Sequence, residues 1–136
     1  MSFGPDSNAF VDITNVQFPD NHFDAVICHH VLEHVIPDEQ GMRECFRVLK
    51  PDGMALFSVP MDITRRETLE RPAQMSAADF EKIVGWDHKR RYGLDFEDKL
   101  AAASFRDVRT IDFTPEEADR FRLASKGMDR VFVCTK

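Results

Sequence analysis

The strongest constraint on the fold is a strand, a helix and a second strand that follow one another within residues 23–60. The apolar run FDAVICHH (23–30) is typical of a strand buried on both faces. Asp38 can cap a helix over 38–49, which Lys50-Pro51-Asp52-Gly53 ends with a basic residue, a proline and a glycine. MALFSVP (54–60) predicts the next strand. The order indicates a βαβ unit, and therefore an α/β fold with parallel strands.

The flanking segments continue the alternation of strands and helices. Apolar spacing, helix caps and turn residues predict the elements that follow. They are a short strand at 9–13, a loop at 61–75, a helix capped by Ser76 and running to about Trp86, a polar loop at 86–93, a helix at 94–104, a strand at 107–113, a helix at 115–124 and a last strand at 130–135. The predicted core includes Phe46, Phe57, Phe80, Phe96, Phe105 and Phe132.

Composition narrows the class of protein. The 136 residues fit one compact domain, 1–136, and a net charge of −6 argues against nucleic acid or an anionic membrane as the main partner. No apolar run is long enough to cross a bilayer, and the first ten residues lack the layout of a signal peptide, so we expect a soluble, cytoplasmic protein. Three cysteines without a close pair are expected to be reduced and buried.

Three segments carry a family resemblance. They are DIT (12–14), FPDNHFDAVICHHVLEHV (18–35) and MRECFRVLKPDGMALFSVP (42–60). Their order and spacing resemble the third, fourth and fifth strands of the class I S-adenosylmethionine-dependent methyltransferases, of the type 11 group. The resemblance covers about residues 10–136. It implies a Rossmann-like methyltransferase sheet, mostly parallel with an antiparallel last strand, and with helices on both faces.

The chain departs from the family at its amino-terminal end. The family's first strand ends in a glycine-rich turn beside the cofactor, whereas the six glycines here form no GxGxG cluster. The resemblance therefore implies a truncated sheet, in which the strand at 24–29 lacks its usual neighbour. Because an unpaired strand edge is avoided in folded proteins, we expect residues 24–29 to be covered by the amino-terminal segment, by a second copy in a homodimer or by a partner chain, and we favour the homodimer.

A second pattern, HxxEH, is formed by His30, Glu33 and His34. It is a zinc-hydrolase signature when two histidines share one helix face and a later acidic residue completes the ligand set. Here His30 follows a strand, and Pro37 leaves little room for a helix. We therefore predict no metal, and the simplest alternative leaves Glu33 and His34 on a helix surface.

The resemblance also implies roles for individual residues. It places Asp12 and Ile13 at the adenine of S-adenosylmethionine, the aspartate as a hydrogen-bond acceptor and the isoleucine against the ring. His29 and His30 would lie near the methionine end of the cofactor and the acceptor, where one could act as a base.

His88, Arg91 and Tyr92 lie in a loop that could approach the acceptor. The alternative for this loop is a solvated charged segment in which Trp86 and Tyr92 are packing anchors.

The resulting hypothesis is methyl transfer from S-adenosylmethionine to a small-molecule acceptor. Two alternatives stay open at this point. One is a catalytically inactive remnant that acts as a dimerisation or partner-binding domain, and the other is a zinc-dependent hydrolase.

Overall fold

The computed structural model describes residues 11–111, 114, 116, 117, 120 and 129–136. The strands are β1 (Phe23–His29), β2 (Leu49–Pro60), β3 (Leu69–Glu70), β4 (Arg90–Arg91), β5 (Arg106–Ile111) and β6 (Asp129–Thr135). The helices are α1 (Asp38–Val48), α2 (Ala77–Val84) and α3 (Phe96–Ala102), and a 3-10 turn occupies Leu32–His34. The helix predicted at 115–124 lies largely outside the described residues, as do residues 9, 10, 112 and 113 of two predicted strands.

The main sheet has the strand order β1-β2-β6-β5. Strands β1 and β2 are parallel, with Cys28 opposite Phe57, while β6 runs antiparallel to both of its neighbours. Strand β5 therefore points in the same direction as β1 and β2. This confirms the mostly parallel sheet with an antiparallel last strand.

Two local predictions at α1 and β2 were wrong in detail. Asp38 does not cap α1, because Pro37 occupies the capping position and the Asp38 carboxylate instead accepts a hydrogen bond from the Tyr92 hydroxyl at 2.9 Å. Helix α1 ends at Val48 and β2 already begins at Leu49, so the predicted turn residues 50–53 lie within β2. Leu49 pairs with Phe23 of β1 and is fully buried, which accounts for the earlier onset.

Alternate residues of the strands form two faces with different surroundings. The covered face consists of Val26, Cys28, Ala55, Phe57, Val59, Phe132 and Cys134, which pack with α1 and α3 in one hydrophobic core. Edge-to-face ring contacts stabilise this packing. The ring centroids of Phe96 in α3 and Phe132 are 4.9 Å apart, and those of Phe57 and Phe105 are 5.3 Å apart. The predicted core phenylalanines are confirmed, with Phe46 partly buried at its margin and Phe80 buried in α2.

The open face consists of Ala25, Ile27, Met54, Leu56, Val131 and Val133. Ile27 is 75% exposed and Met54 is 41% exposed. The second layer of helices that the sequence predicts does not appear on this face within the described residues. The prediction that β1 is buried on both faces was therefore wrong, because the side chains on its open face are exposed. In the part of the chain described here, β1 pairs with β2 alone, so its outer edge has no described partner strand.

A smaller unit stands beside the main sheet. Strands β3 and β4 pair antiparallel, and α2 begins at the Ser76 cap, whose hydroxyl accepts from the Asp79 N–H at 3.1 Å. Gly85, with φ +120°, ends α2 and turns the chain back towards it. Trp86 follows at 84% exposure, so its prediction as a packing anchor was wrong, whereas Tyr92 is fully buried as predicted.

All three cysteines are unpaired and buried, as predicted. Among the described residues, no helix combines the length and the apolar character needed to cross a lipid bilayer.

Candidate functional site

An open cavity of about 490 Å³ lies between β1 and the segment that precedes it. Asp12 and Ile13 form part of its wall from the amino-terminal segment, and Cys28 and Val31 approach it from the end of β1. The remaining lining is apolar: Val11, Val16, Phe18, Phe23, Val26, Ile27, Val35, Cys45 and Val48. The structure therefore brings the predicted adenine residues to the same cavity as the residues that flank His29 and His30.

Residues 11–13 form a turn and not the strand that the sequence predicts. Asp12 makes an isolated bridge with Asn15, and its carboxylate accepts from the Thr14 N–H at 2.9 Å and from the Thr14 hydroxyl at 2.8 Å. These hydrogen bonds, from the backbone first, lower the pKa of Asp12, which stays ionised at neutral pH. The carboxylate is exposed and retains further acceptor capacity.

The same tripeptide occurs a second time, at Asp62-Ile63-Thr64, with the same local structure. The Asp62 carboxylate accepts from the Thr64 N–H at 3.1 Å and from its hydroxyl at 2.6 Å. Asp62 does not line the cavity. The hydrogen bonds of Asp12 are thus a property of the sequence DIT, and its position beside the cavity is what distinguishes it from Asp62.

His29 and His30 end β1 in two different ways. His29 is exposed, while His30 adopts a left-handed backbone conformation with φ +50° and donates its N–H to the Ser58 carbonyl at 2.9 Å. The two imidazole rings are in edge-to-face contact, with their centroids 4.4 Å apart. The Nδ1 of His30 lies 3.1 Å from Glu33 Oε1. His29 is therefore the more accessible of the two imidazoles.

Glu33 was expected on a helix surface, and that expectation was wrong. The residue has no solvent exposure because the 3-10 turn points it inward. Its Oε1 lies 3.1 Å from His30 Nδ1 and 3.8 Å from His34 Nε2, whereas Oε2 has no hydrogen-bond partner among the described residues. Sequence periodicity missed it, since the apolar pattern there fits a surface helix equally well.

The three loop residues predicted near the acceptor each have a hydrogen-bond partner within the protein. His88 is half-buried and its Nδ1 lies 2.9 Å from the Val84 carbonyl, while the Arg91 guanidinium donates to the Ile83 carbonyl at 2.6 Å. Tyr92 is fully buried, and burial followed by the nearby Asp38 carboxylate raises the pKa of Tyr92 above its usual range. None of the three lines the cavity.

Arg90 was not predicted as a site residue from the sequence, yet it connects the 3-10 turn after β1 to the strand pair β3-β4. It is 4% exposed and donates to the carbonyls of Leu32 and Val35, and its Nε lies 2.8 Å from Glu70 Oε1. These contacts join the loop before α1 to the β3-β4 unit. A buried guanidinium in a run of basic residues has no distinguishing sequence pattern, so its position could not be predicted.

The sequence is similar to known methyltransferases. A family model described as a methyltransferase domain matches residues 7–57. A protein of Mycolicibacterium smegmatis named as a probable S-adenosylmethionine-dependent methyltransferase is 32% identical over 95 residues, which are 65% of this chain and 35% of that protein. The chain thus spans about a third of the length of this relative.

The fold is similar to solved structures of the same class. An S-adenosylmethionine-dependent methyltransferase from Mesorhizobium loti superposes with a TM-score of 0.66 at 15% identity, over 98% of this chain and 72% of that one. The [4+2]-cyclase SpnF gives a TM-score of 0.60 at 18% identity, over 94% of this chain and 54% of that one. A cyclase among the neighbours shows that the fold by itself does not specify the reaction.

The sequence motifs at 12–60 and the strand order β1-β2-β6-β5 thus agree with each other and with both kinds of comparison. Over residues 7–57 the sequence is similar to a methyltransferase domain, and the fold is similar to that of S-adenosylmethionine-dependent methyltransferases.

Proposed function

We propose that the chain supplies one wall of a methyltransferase site that transfers a methyl group from S-adenosylmethionine to a small-molecule acceptor. The observation that carries the proposal is the shared cavity, which Asp12 and Ile13 line together with Cys28 and Val31 at the end of β1. An apolar cavity with a few polar groups at its margin is typical of sites for small molecules.

The adenine end of the cofactor fits the residues present. Ile13 offers an apolar surface for the ring, and the ionised Asp12 carboxylate can accept a hydrogen bond from the exocyclic amino group. When bound, the cofactor supplies an electrophilic methyl group on a sulfonium. The protein's contribution is to hold the acceptor in line with that methyl group, which by itself accounts for much of the rate in bimolecular reactions.

His29 is the residue we assign as the base. It lies directly after the cavity residue Cys28 and is exposed, so its imidazole is available to an acceptor at the carboxyl end of the strand. His30 has a positioning role, because its ring contacts both His29 and Glu33.

The methionine end of the cofactor requires a further segment. Family members hold it with a glycine-rich turn, and the glycines of this chain form no such cluster. We propose that a strand from a second copy of the chain, or from another polypeptide segment, pairs with the edge of β1 that no described residue pairs with; of the two, the other segment could also supply the glycine-rich turn, which a second copy lacks. Pairing would satisfy the open backbone groups of β1 and close the cavity.

Binding of S-adenosylhomocysteine, measured by titration calorimetry, tests the adenine assignment. We expect Asp12→Ala to weaken binding by about tenfold, the loss of one charge-assisted hydrogen bond. The matched control is Asp62→Ala, which removes the same turn from the same tripeptide away from the cavity. An inosine analogue that lacks the amino group should bind equally weakly to the unmodified chain and to Asp12→Ala.

Two results would contradict the proposal. One is the absence of any heat with S-adenosylhomocysteine at high micromolar protein. The other is an equal loss of affinity in Asp12→Ala and Asp62→Ala, because that would trace the effect to turn stability and not to contact with the ligand.

A further inference from the structure

Three potential metal ligands converge at the junction of two connections. Glu33 and His34 lie in the 3-10 turn after β1, and His88 lies in the loop after α2. One ligand atom of each residue lies within 4.8 Å of the ligand atoms of the other two. The imidazole rings of His34 and His88 are in edge contact at 4.8 Å.

Hydrogen bonds orient both histidines as metal ligands. His34 Nδ1 lies 3.2 Å from the Asp87 carbonyl, and His88 Nδ1 lies 2.9 Å from the Val84 carbonyl. Because a carbonyl can only accept, each Nδ1 must carry the proton, which leaves each Nε2 with a free lone pair. Metal-bound histidines in proteins are oriented in this way, by donating their other ring N–H to a carbonyl or carboxylate.

The Glu33 carboxylate supplies the second independent observation. The residue is 0% exposed, and its Oε2 has no hydrogen-bond partner among the described residues. Leaving a buried carboxylate oxygen without a partner is unfavourable, and a cation at this oxygen would remove that penalty. His34 Nε2 is 3.8 Å from the other oxygen, so both groups face the same small volume.

The backbone holds the two connections together. The Lys89 N–H donates to the Glu33 carbonyl at 2.7 Å, in addition to the contact of His34 with Asp87. Gly85 permits the return of His88 onto the end of α2, because a Cβ at Gly85 would lie 2.9 Å from His88 Nδ1. The three ligands thus sit on segments that are already fixed relative to each other.

We propose that Glu33, His34 and His88 bind one divalent transition-metal ion of the zinc class. Two imidazoles and one carboxylate with an open fourth position are a ligand set that zinc accepts. Ligand atoms at bond lengths of about 2.1 Å in a tetrahedron are about 3.4 Å apart, so small side-chain rotations would close the site. His34 and His88 are each partly exposed, which gives an ion access from solvent.

This site differs from the zinc-hydrolase arrangement that HxxEH suggests. That arrangement needs His30 and His34 on one helix face, whereas His30 here has a left-handed backbone and precedes the 3-10 turn that contains His34. The ligand that replaces His30 is His88, 54 positions after His34 in the chain. The inference concerns metal binding and does not depend on the proposed methyl transfer.

Zinc titration of the metal-free chain in the presence of a non-thiol reductant is the first test. We expect one equivalent of zinc by elemental analysis after dialysis, and a rise in Tm of roughly 10 °C at a free zinc concentration 100 times the Kd. Zinc that bound the cysteines of the unfolded chain would instead lower Tm.

Four variants locate the site. His34→Gln and His88→Gln should each weaken zinc binding at least 100-fold, while His22→Gln, an exposed histidine outside the cluster, should bind like the unmodified chain. Glu33→Gln has two opposite effects: it should abolish the zinc-dependent rise in Tm, yet raise the Tm of the metal-free chain by removing the buried charge.

The proposal is overturned if the saturated and dialysed chain retains less than a tenth of an equivalent and zinc leaves Tm unchanged. It is also overturned if His88→Gln or Glu33→Gln keeps the original affinity, or if His22→Gln loses as much affinity as His88→Gln. Circular dichroism of each variant separates a lost site from a chain that has failed to fold.

Discussion

The covered face and the open face of the main sheet are built from alternate residues of the same strands, yet their most central residues differ in burial. Phe57 on the covered face has no exposure, while Ile27 on the open face is 75% exposed and Met54 is 41% exposed. Both faces are apolar in sequence. Strands with two apolar faces are typical of sheets that carry a layer on each side, so the open face has the composition of a surface that is meant to be covered.

The difference in burial between the two faces indicates which part of the sheet stabilises the fold and which part is available for binding. The covered face is packed by α1 and α3 and closes without help from another chain. The cavity that we propose for the cofactor lies at the edge of β1 that no described residue pairs with, and it is lined by Val26 and Cys28 of the covered face and by Ile27 of the open face. We infer that the covered face carries the fold, that assembly depends on the open face, and that ligand binding depends on the edge of β1 between them.

The largest expected effect comes from a cavity in the covered face. Phe57→Ala should lower the free energy of unfolding by about 3–5 kcal/mol, because the ring is fully buried and contacts Phe105. The adjacent residue on the open face gives a matched control, and Leu56→Ala should cost about 1 kcal/mol. Urea unfolding followed by circular dichroism measures both. Similar losses for the two variants would remove the distinction between the faces.

The next effect concerns the connections at the carboxyl end of β1. Arg90→Met should lower the free energy of unfolding by about 3 kcal/mol, since it leaves the Leu32 carbonyl without its donor and the Glu70 carboxylate without its cationic partner, while Asp38 keeps Lys99 at 3.8 Å. Lys82→Met, which removes a cation at 75% side-chain exposure, should change it by less than about 0.5 kcal/mol. If Arg90→Met changes the free energy of unfolding as little as Lys82→Met does, then Arg90 does not stabilise the region around Glu33, His34 and His88.

The cavity wall depends on an ion pair along α1. Arg47 donates to Glu44 and also to the Val16 and Phe18 carbonyls, two residues that line the cavity. The hydrogen bonds from Arg47 lower the pKa of Glu44 below its ordinary value. The stabilisation from this pair is therefore present above about pH 4.5 and is lost as the pH falls through the lowered pKa of the folded state.

Glu44→Gln should accordingly cost about 1–2 kcal/mol at pH 7, and the difference from the unmodified chain should shrink below pH 4.5. Urea midpoints between pH 3 and pH 7 measure this trend. Glu39→Gln provides the control, since Glu39 is an exposed residue of the same helix. A cost that stays constant with pH would mean that Glu44 acts through packing and not through its charge.

The elements that follow strong local rules could be predicted from the sequence. Ser76 and Asp79 predict the start of α2, because capping depends on near neighbours, and the basic, proline and glycine residues at 50–53 predict the end of α1 to within one residue although they themselves lie in β2. Glu33 and Trp86 could not be predicted, since their burial depends on contacts with residues far away in the chain. Asp12 and Asp62 show the same limit, because identical tripeptides form identical turns and tertiary structure alone decides which one borders the cavity.

The smallest effect on folding and the largest on assembly are expected at the open face. Ile27→Glu should change the free energy of unfolding of the isolated chain by less than about 0.5 kcal/mol, because the side chain is 75% exposed. If a second copy pairs with β1, the new charge would be buried against it, and the variant should sediment as a monomer at concentrations where the unmodified chain is a dimer. Ile63→Glu, at 43% exposure and outside the main sheet, controls for the added charge.

An unmodified chain that stays monomeric at high micromolar concentration would exclude the second copy and leave a different polypeptide segment as the cover. A loss of stability as large as that of Phe57→Ala would show instead that Ile27 is already buried in solution.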